Sequence, residues 1–340
     1  MDGSQPRLLF ILADEHETKA SAHLGALRHT MMTGSDLREL ISPGAYKMLV
    51  VSRYNLRQIS QLSLAPFDVI ANIVTEPVRH REILENVRKV LRTARGRVLN
   101  PPDELLSTTR EKVSRTLAGI DNLIAPITVR IAPNTSTAAA IRLLESAGLR
   151  APIILRRAGT HLGESMALFD SIEAAADALE PQREHVVTQF VDFRSPDGLY
   201  RKYRVFFIGR EIILRHMLVS DHWNVHGADR KRFMASRPEI VAQERALFET
   251  DDPFPPKVRE ALKAVRSRMP LDYFGMDFAI REDRTVVLFE ANISMSFFPF
   301  AADPQFEHCQ KAFEPAQNAF RELLGLPPTA AQPRRFARTA

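Results

Sequence analysis

Residues Tyr273–Ser296, YFGMDFAIREDRTVVLFEANISMS, decide how the rest of the chain is read. Two β-rich runs, Phe274–Ile280 and Thr285–Ala291, flank the polar turn Arg281-Glu282-Asp283-Arg284. Side chains alternate faces along a strand, so Gly275, Asp277 and Ala279 share one face of the first run. In the second run Val286, Leu288, Glu290 and Asn292 share a face. An even-numbered hairpin that pairs Ile280 with Thr285 also pairs Gly275 with Glu290. That register sets Asp277, Glu290 and Asn292 on one surface. Two carboxylates and an amide oxygen are hard oxygen donors, the set that suits Mg²⁺ when it also binds substrate phosphates. The competing reading is an exposed hairpin with ordinary surface acids, and an odd-numbered turn would send Asp277 to the opposite face.

Working outward, 340 residues hold two or three cores' worth of chain at roughly 100–200 residues per domain. A composition of 45% hydrophobic and 26% charged residues is that of an ordinary globular protein. The longest apolar runs, such as Leu8–Ala13 and Met48–Val51, are too short to span a bilayer, and Asp14-Glu15 closes the first of them too early for a signal peptide. Cys309 is the single cysteine, which excludes an internal disulfide and a thiolate zinc cluster. A cytoplasmic location is the expectation. The net charge is +5 and the pI about 9.5, with arginines scattered along the chain. That pattern fits anionic small molecules; no zinc finger, aromatic-rich RNA signature or heptad favours nucleic acid.

Residues 7–13, Tyr46–Ser52, Phe67–Ile73 and Arg97–Leu99 read as strands, and the spacing of Ile83, Leu84, Val87, Val90 and Leu91 predicts a helix between the last two. Strands alternating with helices make a small parallel α/β domain, with ligand edges at Asp14 and at Glu76-Pro77. His16, His23 and His29 are spaced for a surface or packing role more than for a metal. Asn100-Pro101-Pro102 breaks the pattern. A capping box, Thr108 with Glu111, then opens a helix carrying Lys112. The helix Thr137–Ala147 and the strand Pro152–Arg157 lead to a glycine-bearing loop, Ala158–Gly163. Arg156 and Arg157 on an otherwise apolar strand call for anionic partners, and the glycines let backbone N–H groups approach phosphate oxygens. Val186–Phe193 is the next strand, and Gly209-Arg210 joins Tyr200–Ile208 to Glu211–Val219 as a hairpin. Ser220–Ser236 is a long polar loop, helices span Pro238–Thr250 and Lys257–Met269, and a closing helix from Gln305 to Leu324 breaks or kinks at Pro315.

From Asn100 to Phe297 the chain resembles the ATP-grasp superfamily, above all glutathione synthetase and the ribosomal-protein glutamate ligases. The resemblance is carried by LNPPDELLSTTREKV (99–113), PIILRRAGTHLG (152–163), VTQFVD (187–192), and GMDFAI with LFEANIS (275–294). It implies an α/β and α+β architecture: an ATP-grasp fold behind an N-terminal parallel α/β domain. The expected divisions are 1–100, a central subdomain with the phosphate loop at 101–186, a subdomain with the metal site at 187–326, and a disordered tail at 327–340. In nucleotide binding, Lys112 and Arg156 match the family's two phosphate-binding cations, with arginine in the second lysine's place. Gly159, Thr160, His161 and Gly163 match the loop over the phosphates; Gln189, Phe190, Val191 and Asp192 match the strand beside adenine. Asp277, Glu290 and Asn292 match the ligands of two Mg²⁺ ions. Arg204 and Arg215 resemble the catalytic arginines that face the acyl phosphate and the acceptor. Gly275 stands where D-alanine–D-alanine ligases carry arginine, which points away from that branch.

The implied activity is ATP-dependent joining of a carboxylate to an amine through an acyl phosphate, releasing ADP and phosphate. The alternatives are a small-molecule kinase on the same fold and a non-catalytic ATP-binding regulatory protein. The implied partners are ATP, a small carboxylate and an amine (amino acid or peptide), with a homodimer allowed and no membrane.

Overall fold

Six consecutive apolar residues, Leu8–Ala13 (β1), have no polar face to offer water, and every one of them is buried. The computed structural model describes residues 5–13, 41, 44–160, 165–294 and 303–329. On either side of β1 lie β2 (Tyr46–Val51) and β3 (Val69–Asn72), and β4 (Arg97–Leu99) pairs with β3. All these pairings are parallel, as the strand–helix alternation predicted. The sheet's connections include the short α1 (Leu56–Ile59) and α2 (Arg81–Val90). The latter buries Ile83, Leu84, Val87 and Val90, the stripe read from the sequence. Asp14, Glu15, His16, His23 and His29 lie outside the described residues.

After Pro101 come α3 (Pro102–Leu106) and α4 (Arg110–Leu117). The residue at the cap of α4 is Thr109, one later than the capping box placed it. The Thr108 hydroxyl donates to the Leu105 carbonyl, 2.7 Å away, so this residue closes α3 and does not open α4. Thr109 Oγ1 instead donates to the Glu111 carboxylate at 2.6 Å. β5 (Leu123–Ile124) then crosses to a second sheet. A third, antiparallel sheet of order β6-β9-β7-β8 follows: β6 (Thr128–Ile131), β7 (Ile153–Arg157), β8 (Ala167–Phe169) and β9 (His185–Gln189). Behind it, α5 (Thr137–Ser146) and α6 (Ile172–Asp177) pack Ala140, Leu144, Ala175 and Ala176 against Ile153, Leu155 and Val187.

The second sheet is the five-stranded one, completed by β10 (Tyr200–Ile208), β11 (Glu211–Ser220), β12 (Tyr273–Ile280) and β13 (Val286–Asn292), in the order β11-β10-β12-β13-β5. Between β11 and β12 run α7 (Pro238–Leu247) and α8 (Pro256–Arg268). Val258, Leu262 and Val265 of α8 share a core with Phe274, Met276 and Phe278. The closing helical region is a 3₁₀ stretch, Pro304–Ala312, followed by α9 (Phe313–Leu323). The junction falls at Ala312–Phe313, which leaves Pro315 in the first turn of α9, where a missing N–H is tolerated. Phe320 of α9 meets Tyr273 edge-on at 5.5 Å and Phe10 at 6.4 Å, so it spans the first and second sheets. No described helix is long and apolar enough to cross a membrane.

Asn100 joins these two sheets. Fully buried and held at φ +49°, it donates from Nδ2 to the Tyr273 carbonyl at 2.8 Å. Its Oδ1 accepts from Asp272 N at 2.7 Å, and its own N–H donates to the Asp272 carboxylate at 2.9 Å. Asn72 Nδ2 donates to the Asn100 carbonyl, and Tyr273 Oη donates to the Asn72 carbonyl. A buried asparagine this fully used fixes the first sheet to the second.

Candidate active site

Strand pairing brings four polar side chains into one row across the second sheet. His216 on β11 pairs with Arg204 on β10, Arg204 pairs with Asp277 on β12, and Asp277 pairs with Glu290 on β13. Gly275 pairs with Asn292, which continues the Glu290 face. The hairpin register expected from the sequence is therefore corrected: Ile280 pairs with Val286, and Gly275 with Asn292. The reason is a bulge at Phe289, which lies unpaired between Leu288 and Glu290. It breaks the alternation, so Val286 and Leu288 join the core that contains Phe278 while Glu290 and Asn292 turn to the side of Asp277. A second bulge lies beside the same row, with Arg215 as the extra residue between Leu214 and His216.

The row is closed by charge. Arg204 grips Asp277 with two bonds, Nε to Oδ1 at 2.5 Å and Nη2 to Oδ2 at 2.7 Å. Lys202 Nζ stands 3.2 Å from Oδ2. Burial pushes the Asp277 carboxyl up, but the Arg204 and Lys202 charges and hydrogen bonds outweigh it and hold it at about 2. Glu290 Oε2 accepts from Arg110 at the start of α4 and, at 3.5 Å, from Asn292 Nδ2. Burial raises Glu290 too, and Arg110 foremost brings it below its ordinary value. Asn292 Oδ1 accepts from Ser294 N at 2.9 Å. His216 is buried, and burial together with Arg204, Arg230, Arg215 and Lys202 drives its imidazole well below the ordinary range, so it is neutral. Burial, then Arg230 and Arg204, lowers Arg215 to about 10 against the opposing pull of Cys309 and Glu244.

From the third sheet, Arg156 enters the same region. It is buried, donates to the Thr160 carbonyl, and is lowered to about 9 by burial and by Arg110, with Glu290 and Glu76 opposing. Gly159 takes φ +71°, a conformation that suits glycine, and a β-carbon placed there would sit 3.8 Å from Val78 in the turn after β3. Thr160 Oγ1 donates to the Arg157 carbonyl. Arg157 itself points away to Glu180. His161 and Gly163 lie outside the described residues.

Lys112 leaves the same helix turn as Arg110 but donates from Nζ to the Leu106 carbonyl at 2.8 Å. Arg110, which the sequence reading passed over, is the α4 cation that reaches Glu290. Gln189 is spent on the sheet: Oε1 accepts from Arg150 N at 2.8 Å, and Nε2 donates to the Pro152 carbonyl at 3.1 Å. Phe190 and Val191 pack on the core that holds Met217 and Val225, with Phe190 edge-on to Trp223 at 5.9 Å. Asp192 accepts from Arg194 N.

Three hard oxygen donors in one row fit a divalent cation in their chemistry. Protein cations now supply its counter-charge: Lys202 and Arg204 at Asp277, Arg110 at Glu290. Among the described residues Glu244, His308 and Cys309 also gather metal-ligand types. There the Glu244 carboxylate already accepts from both Arg230 nitrogens, from Met217 N and from His308 Nε2 at 2.6–3.0 Å. That cluster is a structural ion pair, and burial first, then Glu244, pushes the Cys309 thiol up to about 12.

No family model matches the sequence, and no curated protein matches it. Its three-dimensional arrangement is that of the ATP-grasp fold, shared with solved ligases of low sequence identity. The chain is similar to the VanG D-Ala:D-Ser ligase from Enterococcus faecalis, at 12% identity over 95% of this chain and 99% of that one, TM-score 0.55. It is also similar to D-alanyl-alanine synthetase A from Vibrio cholerae, at 13% identity over 95% and 97%, TM-score 0.52. An ADP complex of PurK, an N5-carboxyaminoimidazole ribonucleotide synthetase, is similar at 13% identity over 95% and 78%, TM-score 0.50.

Proposed function

We propose that the protein is an ATP-dependent carboxylate–amine ligase. The observation that carries this reading is the Arg204–Asp277–Glu290 row, a pair of carboxylates facing each other across two strands with Lys202, Arg204, Arg110 and Arg156 converging on them. Arg110 and Arg156 are suited to the phosphate chain of ATP, beside the Gly159–Thr160 turn. His161 and Gly163 remain candidates for the same phosphates, whereas Lys112 is engaged at the Leu106 carbonyl, and the Gln189–Asp192 edge is the candidate adenine seat. Mg²⁺ held by Asp277, Glu290 and Asn292 would neutralise charge on the transferred phosphoryl group.

The reaction then follows from positioning and electrostatics. Arg204 and Arg215 hold the substrate carboxylate in line with the γ-phosphorus. A carboxylate oxygen bonds to phosphorus, the bond to the ADP oxygen breaks, and an acyl phosphate forms. Guanidinium groups fork onto two oxygens at once, which suits first the carboxylate and then the acyl phosphate. The amine nitrogen bonds to the acyl carbon, the carbon–oxygen bond to phosphate breaks, and the nitrogen gives up one proton to the departing phosphate. His216, kept neutral at the Arg204 end of the row, adds no further charge there.

The test is a screen of small acids with ATP, Mg²⁺ and hydroxylamine. The ligase yields a hydroxamate and ADP, and Arg215→Ala loses the hydroxamate while still binding ATP. A phosphate ester that survives hydroxylamine, or AMP with pyrophosphate, overturns the reading.

A further inference from the structure

Asp277 is closed off more completely than a metal ligand waiting for its ion needs to be. Its side chain is 3% exposed, and both oxygens are bonded to Arg204, with Lys202 on the second. The two cations are themselves mostly buried, at 19% and 14% exposed. Arg215 also acts on the His216 that pairs with Arg204, while Arg230, which acts there too, is paired with Glu244. Asp277 thus supplies the counter-charge that lets Arg204 and Lys202 stand side by side. A carboxylate gripped through both oxygens also has the shape and charge of a bound carboxylate substrate.

We propose that Lys202 and Arg204 form a self-masked oxyanion site, in which Asp277 occupies the place of a carboxylate or phosphoryl group until a divalent cation draws it away. The proposal rests on the ligase reading for the identity of the cation, and the mask itself does not. A divalent cation and the Arg204–Lys202 pair compete for the same lone pairs. When the cation wins, two buried cations lose their counter-charge and take up an external anion instead, because an unpaired buried charge is strongly unfavourable. Without the cation, an incoming anion must displace Asp277 and leave that carboxylate buried and unpaired. The two ligands therefore help each other by the same factor in both directions. An acid substrate would bind after the metal–nucleotide and not before it, which protects the enzyme from occupying its acid site unproductively.

The experiment titrates the full chain calorimetrically with sulfate, which has the charge and oxygen geometry of a phosphoryl group, and separately with acetate, a bare carboxylate. Mg²⁺–ADP is used as the nucleotide so that the place of the transferred group stays open. Wild type should bind at least one of the two anions about tenfold tighter with Mg²⁺–ADP than with ADP and a chelator. Which of them gains shows whether the site is shaped for phosphoryl or for carboxylate. Asp277→Asn should reach the tighter affinity with no metal or nucleotide, and Lys202→Met should remove the gain. Equal affinity in wild type with and without metal, while Mg²⁺–ADP is bound, overturns the proposal. So does a folded Asp277→Asn chain that binds no tighter than metal-free wild type. If Mg²⁺–ADP does not bind at all, the ligase reading fails and the Asp277→Asn titration alone decides the mask. If Asp277→Asn does not fold, the wild-type comparison decides it.

Discussion

Arg110 and Lys112 leave the first turn of one helix and go to different places. Arg110 reaches Glu290 while Lys112 caps the end of α3 through the Leu106 carbonyl. Arg110→Gln is therefore expected to weaken Mg²⁺–ADP binding about tenfold, and Lys112→Met to cost roughly 1 kcal/mol of stability with little change in nucleotide affinity. Calorimetry and urea unfolding on both variants check this; equal losses of affinity would show that both cations reach the nucleotide. Asp277 gives a second expectation. Its carboxyl is held at about 2 against an ordinary 3.8, so its ion pairs stabilise the fold fully above 3.8 and lose that contribution as pH falls toward 2. The gap in melting temperature between wild type and Asp277→Asn should thus narrow between about pH 5 and about pH 2. A gap that stays constant over that range would mean the pairs contribute nothing to stability. The candidate carboxylates were legible as residues because Asp-x₁₂-Glu-x-Asn sits on two strand-like runs. Arg110 was not, since nothing local separates an arginine that reaches across 180 positions from one that faces water.

Bulges do the aiming at the scale of the strand. In the uninterrupted alternation read from the sequence, Glu290 shares a face with Val286 and Leu288. The extra residue Phe289 is what lets Val286 and Leu288 stay in the core while Glu290 turns to Asp277. Arg215 is inserted beside Arg204 by the same device on β11. Deleting Phe289 should restore regular pairing and force either Glu290 or Leu288 onto the wrong face. The expected result is a chain that melts lower and gains no thermal stabilisation from Mg²⁺–ADP, whereas Phe289→Ala, which keeps the residue count, retains most of that gain. A deletion variant stabilised by Mg²⁺–ADP as well as wild type would show that the bulge does not orient the site. Strands and helices were legible because apolar spacing is local, as Leu8–Ala13 and the Ile83–Val90 stripe show. A bulge is fixed by the partner strand, and the cap of α4 by what α3 does with Thr108, so neither could be read from one segment.

For the molecule as a whole, Asn100 and its partners make the first and second sheets one body. The β6–β9 sheet is tied to that body through α4, by the ion pair of Arg130 with Glu111 at 2.9 Å and by the Ser114 hydroxyl bond to the Pro126 carbonyl just before β6 at 2.6 Å. Asn100→Ala is expected to cost roughly 3–5 kcal/mol, because it removes the side-chain hydrogen bonds to the Tyr273 carbonyl, Asp272 N and Tyr273 N and leaves those half-buried and buried backbone groups without that partner. Urea unfolding should then split into two transitions as the sheets uncouple. A single transition with a loss of about 1 kcal/mol or less would mean that apolar packing through Phe10, Tyr273 and Phe320 joins them instead. The parallel first sheet was legible from strand–helix alternation. Its attachment to Tyr273 was not, for it depends on an asparagine in a left-handed conformation bonding to a strand 173 residues away.

The edge-on contact of Phe190 with Trp223 has a practical consequence for whoever handles the protein. Trp223 is the only indole in 340 residues, so ultraviolet excitation at its red edge reports on one place alone. That place lies where the segment leaving β9 touches the loop between β11 and α7. A change in emission on adding nucleotide would follow this contact in real time without any attached dye, and stopped-flow mixing would give the rate at which it rearranges.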